Sequence, residues 1–372
     1  MTRNDNVEGR LAYADFAALQ FAPQFAADSL GISIQTLKNI EREHNLEIRR
    51  RAAGSVPVRV YSPNDLFQIA RIRRNKGQLK GLARPAIIST FVPKGGTAKT
   101  TVSVNLAIYL CLAGLKVLIV DNDPQADSTS SLGYDPDLSA NELEELGVPR
   151  DRAVEGHIGN LLGLQKNQRS TLDEVLKKPL GEFGPHLITA EESLEDLDVI
   201  LRTANGSDFR YGLFFEKATQ GKIEGVDLSD YDAIIIDNAP SSSLLTRNSM
   251  VASDFLICPV RMDRFSMRAL NRLSEKLEAF KNDFDRSPEV FILPTMYIKN
   301  RPRIQANVAK LESKFPGKVS DAPLYSSEDY IKSLEDLTPL LLWKPGGDNS
   351  IGAMRNVFAN IHGKIRETVG SA

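Results

Sequence analysis

The residues best placed to do chemistry lie in one run, Lys94-Gly95-Gly96-Thr97-Ala98-Lys99-Thr100-Thr101. Small residues there let successive backbone N–H groups converge on phosphate oxygens, a helix start behind them adds its positive end, a lysine supplies charge and a hydroxyl can hold Mg²⁺. The general spacing G-x-x-x-x-G-K-[ST] asks for glycine where this chain has Pro93 and Ala98. Ala98 adds only a methyl, which is expected to be tolerated with its backbone in a right-handed conformation. Two carboxylates complete the set: Asp123 in DNDPQAD and Asp237 closing AIIID, each after an apolar run that reads as a strand. Ligands bind at the carboxyl ends of strands in open α/β sheets, and an aspartate in that place suits a Mg²⁺-bound water.

The elements that must position these groups can be read from periodicity. Ala86–Val92 is an apolar, β-branched strand leading into the glycine loop; Val102–Leu115 has helical spacing and should stop near Gly114; Lys116–Val120 is a second buried strand ending at Asp121. Further apolar runs follow at His186–Ile188, Ala233–Ile236, Phe255–Val260 and Val290–Leu293. Continuous apolar strands separated by helix-length segments predict a doubly wound, mainly parallel α/β sheet covered on both faces, here over residues 85–372. Residues 137–170 read as a loop-and-helix insertion, and Ile351–Val369 as an amphipathic helix packed on the sheet.

Residues 1–84 differ in kind. An apolar helical stretch runs to Leu30, Gly31 makes a turn, and Ser33 can cap a second helix bearing Gln35, Thr36, Lys38 and Arg42 beside the apolar Leu37 and Ile40. That order is the helix-turn-helix pattern, whose second helix lies in a major groove; an ordinary pair of packed helices is the plain alternative. Arg49-Arg50-Arg51, a turn over Gly54–Pro57, a strand-like Val58–Tyr61 and a helix from about Asn64 are compatible with a small wing beside the helices. Leu11–Leu30 suits either a dimer-forming helix or core packing. Charge points the same way: residues 1–85 hold 14 Lys and Arg against 8 Asp and Glu, a balance of +6, so the remainder carries −8 of the net −2. A basic front end on an acidic body suits nucleic acid.

With 372 residues, 42% hydrophobic and 25% charged, the composition excludes a wholly disordered chain. No run reaches the about 20 apolar residues of a membrane span, and the start lacks a signal-like apolar region. Cys111 and Cys258 sit in apolar stretches and make no disulfide framework, so a reduced, cytoplasmic protein is expected. His44, His157, His186 and His362 show no metal-ligand spacing.

Three segments resemble one family in family order. Lys94–Thr101 looks like the deviant Walker A motif KGGxxK[TS] of the ParA/MinD ATPases, Asp121–Gln125 matches its DxDPQ segment, and Tyr231–Thr246 resembles its Walker B region. Asn238-Ala239-Pro240 departs from the family's usual Pro-Pro. The resemblance implies a P-loop NTPase fold with ATP or ADP and Mg²⁺ as cofactors, slow ATP hydrolysis, and a homodimer that closes on nucleotide. It also implies these roles: Gly95–Thr101 around the phosphates, Lys99 on the β- and γ-phosphates, Thr100, Asp123 and Asp237 toward Mg²⁺, Asp123 orienting water, and Lys94 reaching a partner's phosphates. The N-terminal extension narrows the resemblance to helix-turn-helix-containing (type Ia) partition proteins. These imply operator binding, non-specific nucleoid DNA binding and a ParB-like centromere-binding partner, with no membrane association. A nucleotide-sensing transcription regulator without sustained turnover is the other reading.

Overall fold

The computed structural model describes residues 15–52, 57–164, 169–284 and 287–371. Helix α1 (Pro23–Leu30) meets α2 (Ile34–Glu43) across Gly31, which is left-handed at φ 62°, and the Ser33 hydroxyl accepts the Thr36 N–H to open α2. A short antiparallel ribbon follows, β1 (Arg50–Arg51) with β2 (Val58–Arg59), and then α3 (Pro63–Asn75), opened by a Ser62–Asp65 capping box. Gly54–Val56 of the expected turn lie outside the described residues. The helix considered over Leu11–Leu30 is corrected, its first four residues lying outside the described set. Phe16–Ala18 is a single 3-10 turn, and Phe21 is extended and bridged to Tyr61. Pro23 can open a helix but cannot continue one.

The sheet begins with β3 (Ala86–Thr90), followed by α4 (Lys99–Leu112), β4 (Val117–Asn122) and the short α5 (Asp127–Ser131). The insertion carries α6 (Ala140–Glu145), α7 (Ile158–Leu161) and α8 (Leu172–Val175), and leads through β5 (Leu176–Lys177) to β6 (His186–Ile188). Helices α9 (Leu194–Thr203) and α10 (Arg210–Ala218) precede β7 (Ala233–Asn238); α11 (Leu244–Ala252) precedes β8 (Phe255–Arg261); α12 (Arg264–Phe284) precedes β9 (Glu289–Thr295). Helices α13 (Pro302–Lys314), α14 (Asp329–Glu335) and α15 (Ala353–Val369) complete the chain. Strand order is β5-β6-β4-β7-β3-β8-β9, parallel throughout except β5 against β6, as the continuous apolar runs predict. Helix α4 starts three residues before the predicted Val102, because the loop's own Lys99 is already helical; Gly114, left-handed at φ 87°, follows its end.

Helix α4 is apolar on nearly every side, and Val102, Val104, Leu106, Ala107, Ile108, Leu110 and Cys111 are all buried. A helix buried all round needs cover on its outer face as well as a sheet beneath it. Its apolar cluster accordingly includes Leu66, Phe67 and Ala70 of α3, Met354, Phe358 and Ile361 of α15, and Phe16 and Tyr61. The predicted C-terminal amphipathic helix is thus packed. Around α3, both terminal nitrogens of the Arg74 guanidinium bond the Asp232 carboxylate, which also accepts the Lys116 N–H at 2.7 Å. A Cβ on Gly114 would come 3.0 Å from the Ala70 carbonyl oxygen, so glycine permits the close approach of α3. Both cysteines are free and buried. Among the described residues no helix is long and apolar enough to cross a membrane.

His362 on α15 lies edge-on to Tyr109, and its Nε2 is buried without a hydrogen-bond partner among the described residues. Burial, with Arg366 nearby, lowers its pKa from 6.5 to about 4. A depressed folded value means a contribution to stability present above 6.5 and lost as pH falls toward about 4. We expect the urea midpoint to drop between about pH 6.5 and pH 4, by up to about 3 kcal/mol of stability from this group. His362→Phe should flatten that part of the profile; an unchanged slope in the variant would refute the assignment.

Candidate functional site

After β3 the chain turns through Phe91–Ala98 into the head of α4, beside the ends of β7 and β4; Thr90 is in register with Asp237, and Asp237 with Asp121. Gly96 and Ala98 are both left-handed, at φ 63° and 72°. The right-handed conformation expected of Ala98 is therefore wrong: joining this loop to the first turn of α4 requires the backbone sign that glycine supplies in the general motif. An alanine held there costs roughly 1–2 kcal/mol.

Gly95–Thr101 line a cavity of about 520 Å³ together with Val104, Asn105, Asp123, Gln125, Asp127, Pro240 and residues of the Ser333–Leu340 stretch. That volume is ordinary for a small-molecule site. Lys99 is only 8% exposed, and its ammonium donates to the Lys94 carbonyl oxygen at 3.1 Å. Burial pulls its pKa down, while the carboxylates of Asp237, Asp123 and Asp127 oppose that shift. The Thr97 hydroxyl is buried with no hydrogen-bond partner among the described residues. A buried ammonium and an orphaned hydroxyl on one loop fit an anion that brings several acceptor oxygens.

The strand ends supply the opposite charge. Asp237 is buried and accepts the Ser103 hydroxyl at 2.8 Å, the Ser128 hydroxyl at 2.7 Å and the Thr100 hydroxyl. Burial raises its pKa, and these three donors with Lys99 pull it back. Asp121 opposite accepts the Thr129 N–H at 2.8 Å and the Thr129 hydroxyl at 2.7 Å; burial, then the charge of Asp237, pushes its pKa up to about 8. Asp123 accepts the Gln125 N–H at 3.0 Å, and burial raises its pKa against the pull of that bond and of Lys99. Carboxylate and hydroxyl oxygens at this edge make a hard donor set, fitting Mg²⁺ rather than a soft metal.

Lys94 stands apart. Its ammonium pairs with Asp263 at 2.6 and 2.9 Å, and Lys94 lines not the first cavity but a second one of about 560 Å³ with Phe91, Pro93, Ser242, Arg268 and Arg272. Sequence reasoning missed several contributors. The Asn122 amide donates to Asn238 at 2.8 Å across the register pair, and the Tyr211 hydroxyl donates to Asn122, so the residue just before the departure at Ala239 is held by a buried amide link. The DxD spacing was the available signal for Asp121. Nothing local marks Ser333–Leu340, which reaches the cavity by tertiary packing, pinned where Asn105 accepts the Leu341 N–H at 2.9 Å.

At the N-terminal end, Gln35, Lys38 and Arg42 of α2 share a groove of about 420 Å³ with Arg50 and Arg59. Arg59 was missed, since only the folded ribbon sets it opposite Arg50. It pairs with Glu41 at 2.9 Å, and Glu41 also takes the Tyr61 hydroxyl. Ser33 and Thr36 are engaged with each other in the α2 cap, and Arg49 and Arg51 are exposed outside the groove.

A central parallel sheet, a glycine loop at a helix head with a buried lysine, and strand-end aspartates define a P-loop NTPase α/β fold. Residues 85–290 match the family model AAA_31, described as an AAA domain. A ParA family protein of Chlamydia trachomatis serovar D is 30% identical over 274 residues, covering 67% of this chain and 95% of that one. The chromosome-partitioning ATPase Soj of Thermus thermophilus is 30% identical over 227 residues, 61% of this chain and 75% of its own. In fold, the chain resembles cobyrinic acid a,c-diamide synthase from Mycobacterium smegmatis with bound ATP analog and magnesium, at TM-score 0.57 and 19% identity over 78% of this chain and 99% of that one. The chain belongs to the ParA family.

The left-handed Ala98 makes a direct test. Ala98→Gly should leave stability unchanged or raise it by up to about 1 kcal/mol, the relief of strain being partly offset by unfolded-state entropy, whereas Ala98→Val should lower it by more than about 1 kcal/mol. Equal urea midpoints for all three proteins would contradict the backbone assignment.

Proposed function

We propose that this chain is an ATP-dependent DNA partition protein that hydrolyses ATP slowly and works as a nucleotide-closed pair. The observation that carries the reading is the buried Lys99 at the head of α4, which lines one cavity with Asp123 and whose charge is supported by Asp237, buried just behind it at the end of β7. Backbone N–H groups of Gly95–Thr101 and the Lys99 ammonium would hold the phosphates, with the apolar part of Ser333–Leu340 covering the base. Thr100, Asp123 and, through water, Asp237 would hold Mg²⁺, which supplies charge neutralisation on the phosphate oxygens. Asp123 would orient the attacking water. Phosphoryl transfer leaves the protein little covalent work, so the cations placed around the transferred group decide the rate. Lys94 would exchange Asp263 for the phosphates of a second copy, making turnover depend on pairing.

Residues 1–84 are proposed as a helix-turn-helix unit joined to the ATPase unit of 85–372. Helix α2 would present Gln35, Lys38 and Arg42 to a major groove, with Ser33 and Thr36 at its start, and Arg49, Arg50 and Arg51 would meet phosphates. That unit would bind the operator and repress its own operon, while the ATP-bound pair would bind nucleoid DNA in the cytoplasm without sequence preference. A ParB-like centromere-binding partner would raise the rate of hydrolysis. A nucleotide-sensing regulator without sustained turnover is the second reading, favoured by the apolar cluster that α1–α3 share with the phosphate helix α4.

ATP hydrolysis, measured with and without DNA and with and without the product of the adjacent reading frame, tests the proposal. Turnover should rise when both are present. Lys99→Ala should abolish nucleotide binding, Asp123→Ala should retain binding with hydrolysis reduced at least about 100-fold, and Lys94→Ala should retain binding but lose nucleotide-dependent pairing. Turnover that ignores both partners and is unchanged when Lys94 or Asp123 is replaced, while operator binding still follows nucleotide, would establish the sensor instead.

A further inference from the structure

We propose that Ser128 is a positioning residue: it ties the segment carrying Asp123 to Asp237, so that Asp123 is held in place by the same carboxylate that serves the phosphate helix. The inference rests on the nucleotide reading above and deepens it. The segment leaves β4 at Asn122, passes Asp123 and a left-handed Ala126 at φ 55°, and enters the five-residue α5. A helix that short has little stability of its own. Two successive side chains fasten it to two neighbouring strands. The Ser128 hydroxyl donates to Asp237 Oδ2 at 2.7 Å, at the end of β7, and the Thr129 hydroxyl donates to Asp121 at 2.7 Å, near the end of β4. Both residues are fully buried, so neither bond competes with water.

Asp237 is what gives Ser128 a role beyond satisfying a buried acid. A carboxylate offers about four acceptor sites. Two of the hydroxyls it accepts, Thr100 and Ser103, come from α4, while Ser128 comes from the Asp123 segment. Asp237 therefore joins the phosphate helix to the element that carries Asp123. Removing the Ser128 hydroxyl cuts one side of that junction and leaves the α4 side whole. Removing the Ser103 hydroxyl leaves the Ser128 side whole and takes only one of the two α4 bonds, that of Thr100 remaining.

The test compares Ser128→Ala, Ser128→Thr and Ser103→Ala in the full chain. Backbone hydrogen exchange over residues 123–131 is followed without nucleotide, and a fluorescent ATP analogue and steady-state turnover with Mg²⁺ are measured alongside. Ser128→Ala should speed exchange across the segment by about tenfold, the loss of one buried hydrogen bond. It should lower kcat by about tenfold and leave analogue affinity within about twofold, and Ser128→Thr should recover most of both effects. Ser103→Ala should leave exchange of the segment unchanged. The proposal is overturned if Ser128→Ala leaves exchange at the wild-type rate, if Ser103→Ala loosens the segment equally, or if affinity falls in step with kcat. Failure of the wild-type chain to bind the analogue would instead sink the nucleotide reading, and the exchange comparison would still decide whether Ser128 holds the segment.

Discussion

Everything in this molecule is arranged around a helix that is apolar on nearly every side and open at one end. Helix α4 has no polar face to give to water, so it must be enclosed, yet its first turn has N–H groups without intrahelical partners that need acceptors. The sheet covers it from below, and α3, α15 and the Leu340–Leu342 turn cover it from outside. The exposed head is then the one part of the helix left to meet a ligand, and the glycine loop before it leaves room for one. Enclosure also brings the Ser333–Leu340 stretch to the rim of the cavity, far in sequence from the loop it faces.

The charge at that head is balanced at close quarters. Asp121, Asp123 and Asp237 gather where strands β4 and β7 end, with Lys99 as the buried cation among them. Isolated buried charges are costly, and here hydroxyls and backbone N–H groups from α4 and α5 absorb much of that cost. What remains is a site that gains by taking up a cation at the carboxylates and an anion at the loop. Lys94 lies outside this balance, paired with Asp263 and lining a different cavity.

The N-terminal segment is bound to the same framework. Its ribbon sets Arg50 directly opposite Arg59, a like-charge pair that is unfavourable alone and is eased by Glu41, itself buried against Tyr61. Helix α3 carries this assembly and clamps onto the end of α4 through Arg74, Asp232 and the close approach at Gly114. The basic groove and the phosphate loop are therefore connected by packed helices rather than by a loose linker, which gives any change at one a physical route to the other.

Much of the fold was legible in the chain because its signals are local. Continuous apolar runs at Ala233–Ile236 and Phe255–Val260 are short and rich in β-branched residues, as strands buried on both faces are, the Gly31–Ser33 turn and cap lie within a few residues of each other, and the loop from Lys94 to Thr101 carries its chemistry in its own spacing. Backbone strain was not legible: Ala98 had to become left-handed because of where β3 ends and α4 begins, not because of its own preference. The sequence also gave no hint that Lys94 would pair with Asp263, that Ser128 would reach Asp237, or that Ser333–Leu340 would wall the cavity. Those contacts join residues about 100 or more positions apart. The types and spacing of side chains along the chain determined which groups this protein has for its chemistry. Only the folded sheet, by bringing the ends of β3, β4 and β7 to one edge and closing α4 from outside, decided which of those groups meet, because such meetings depend on packing that no local pattern encodes.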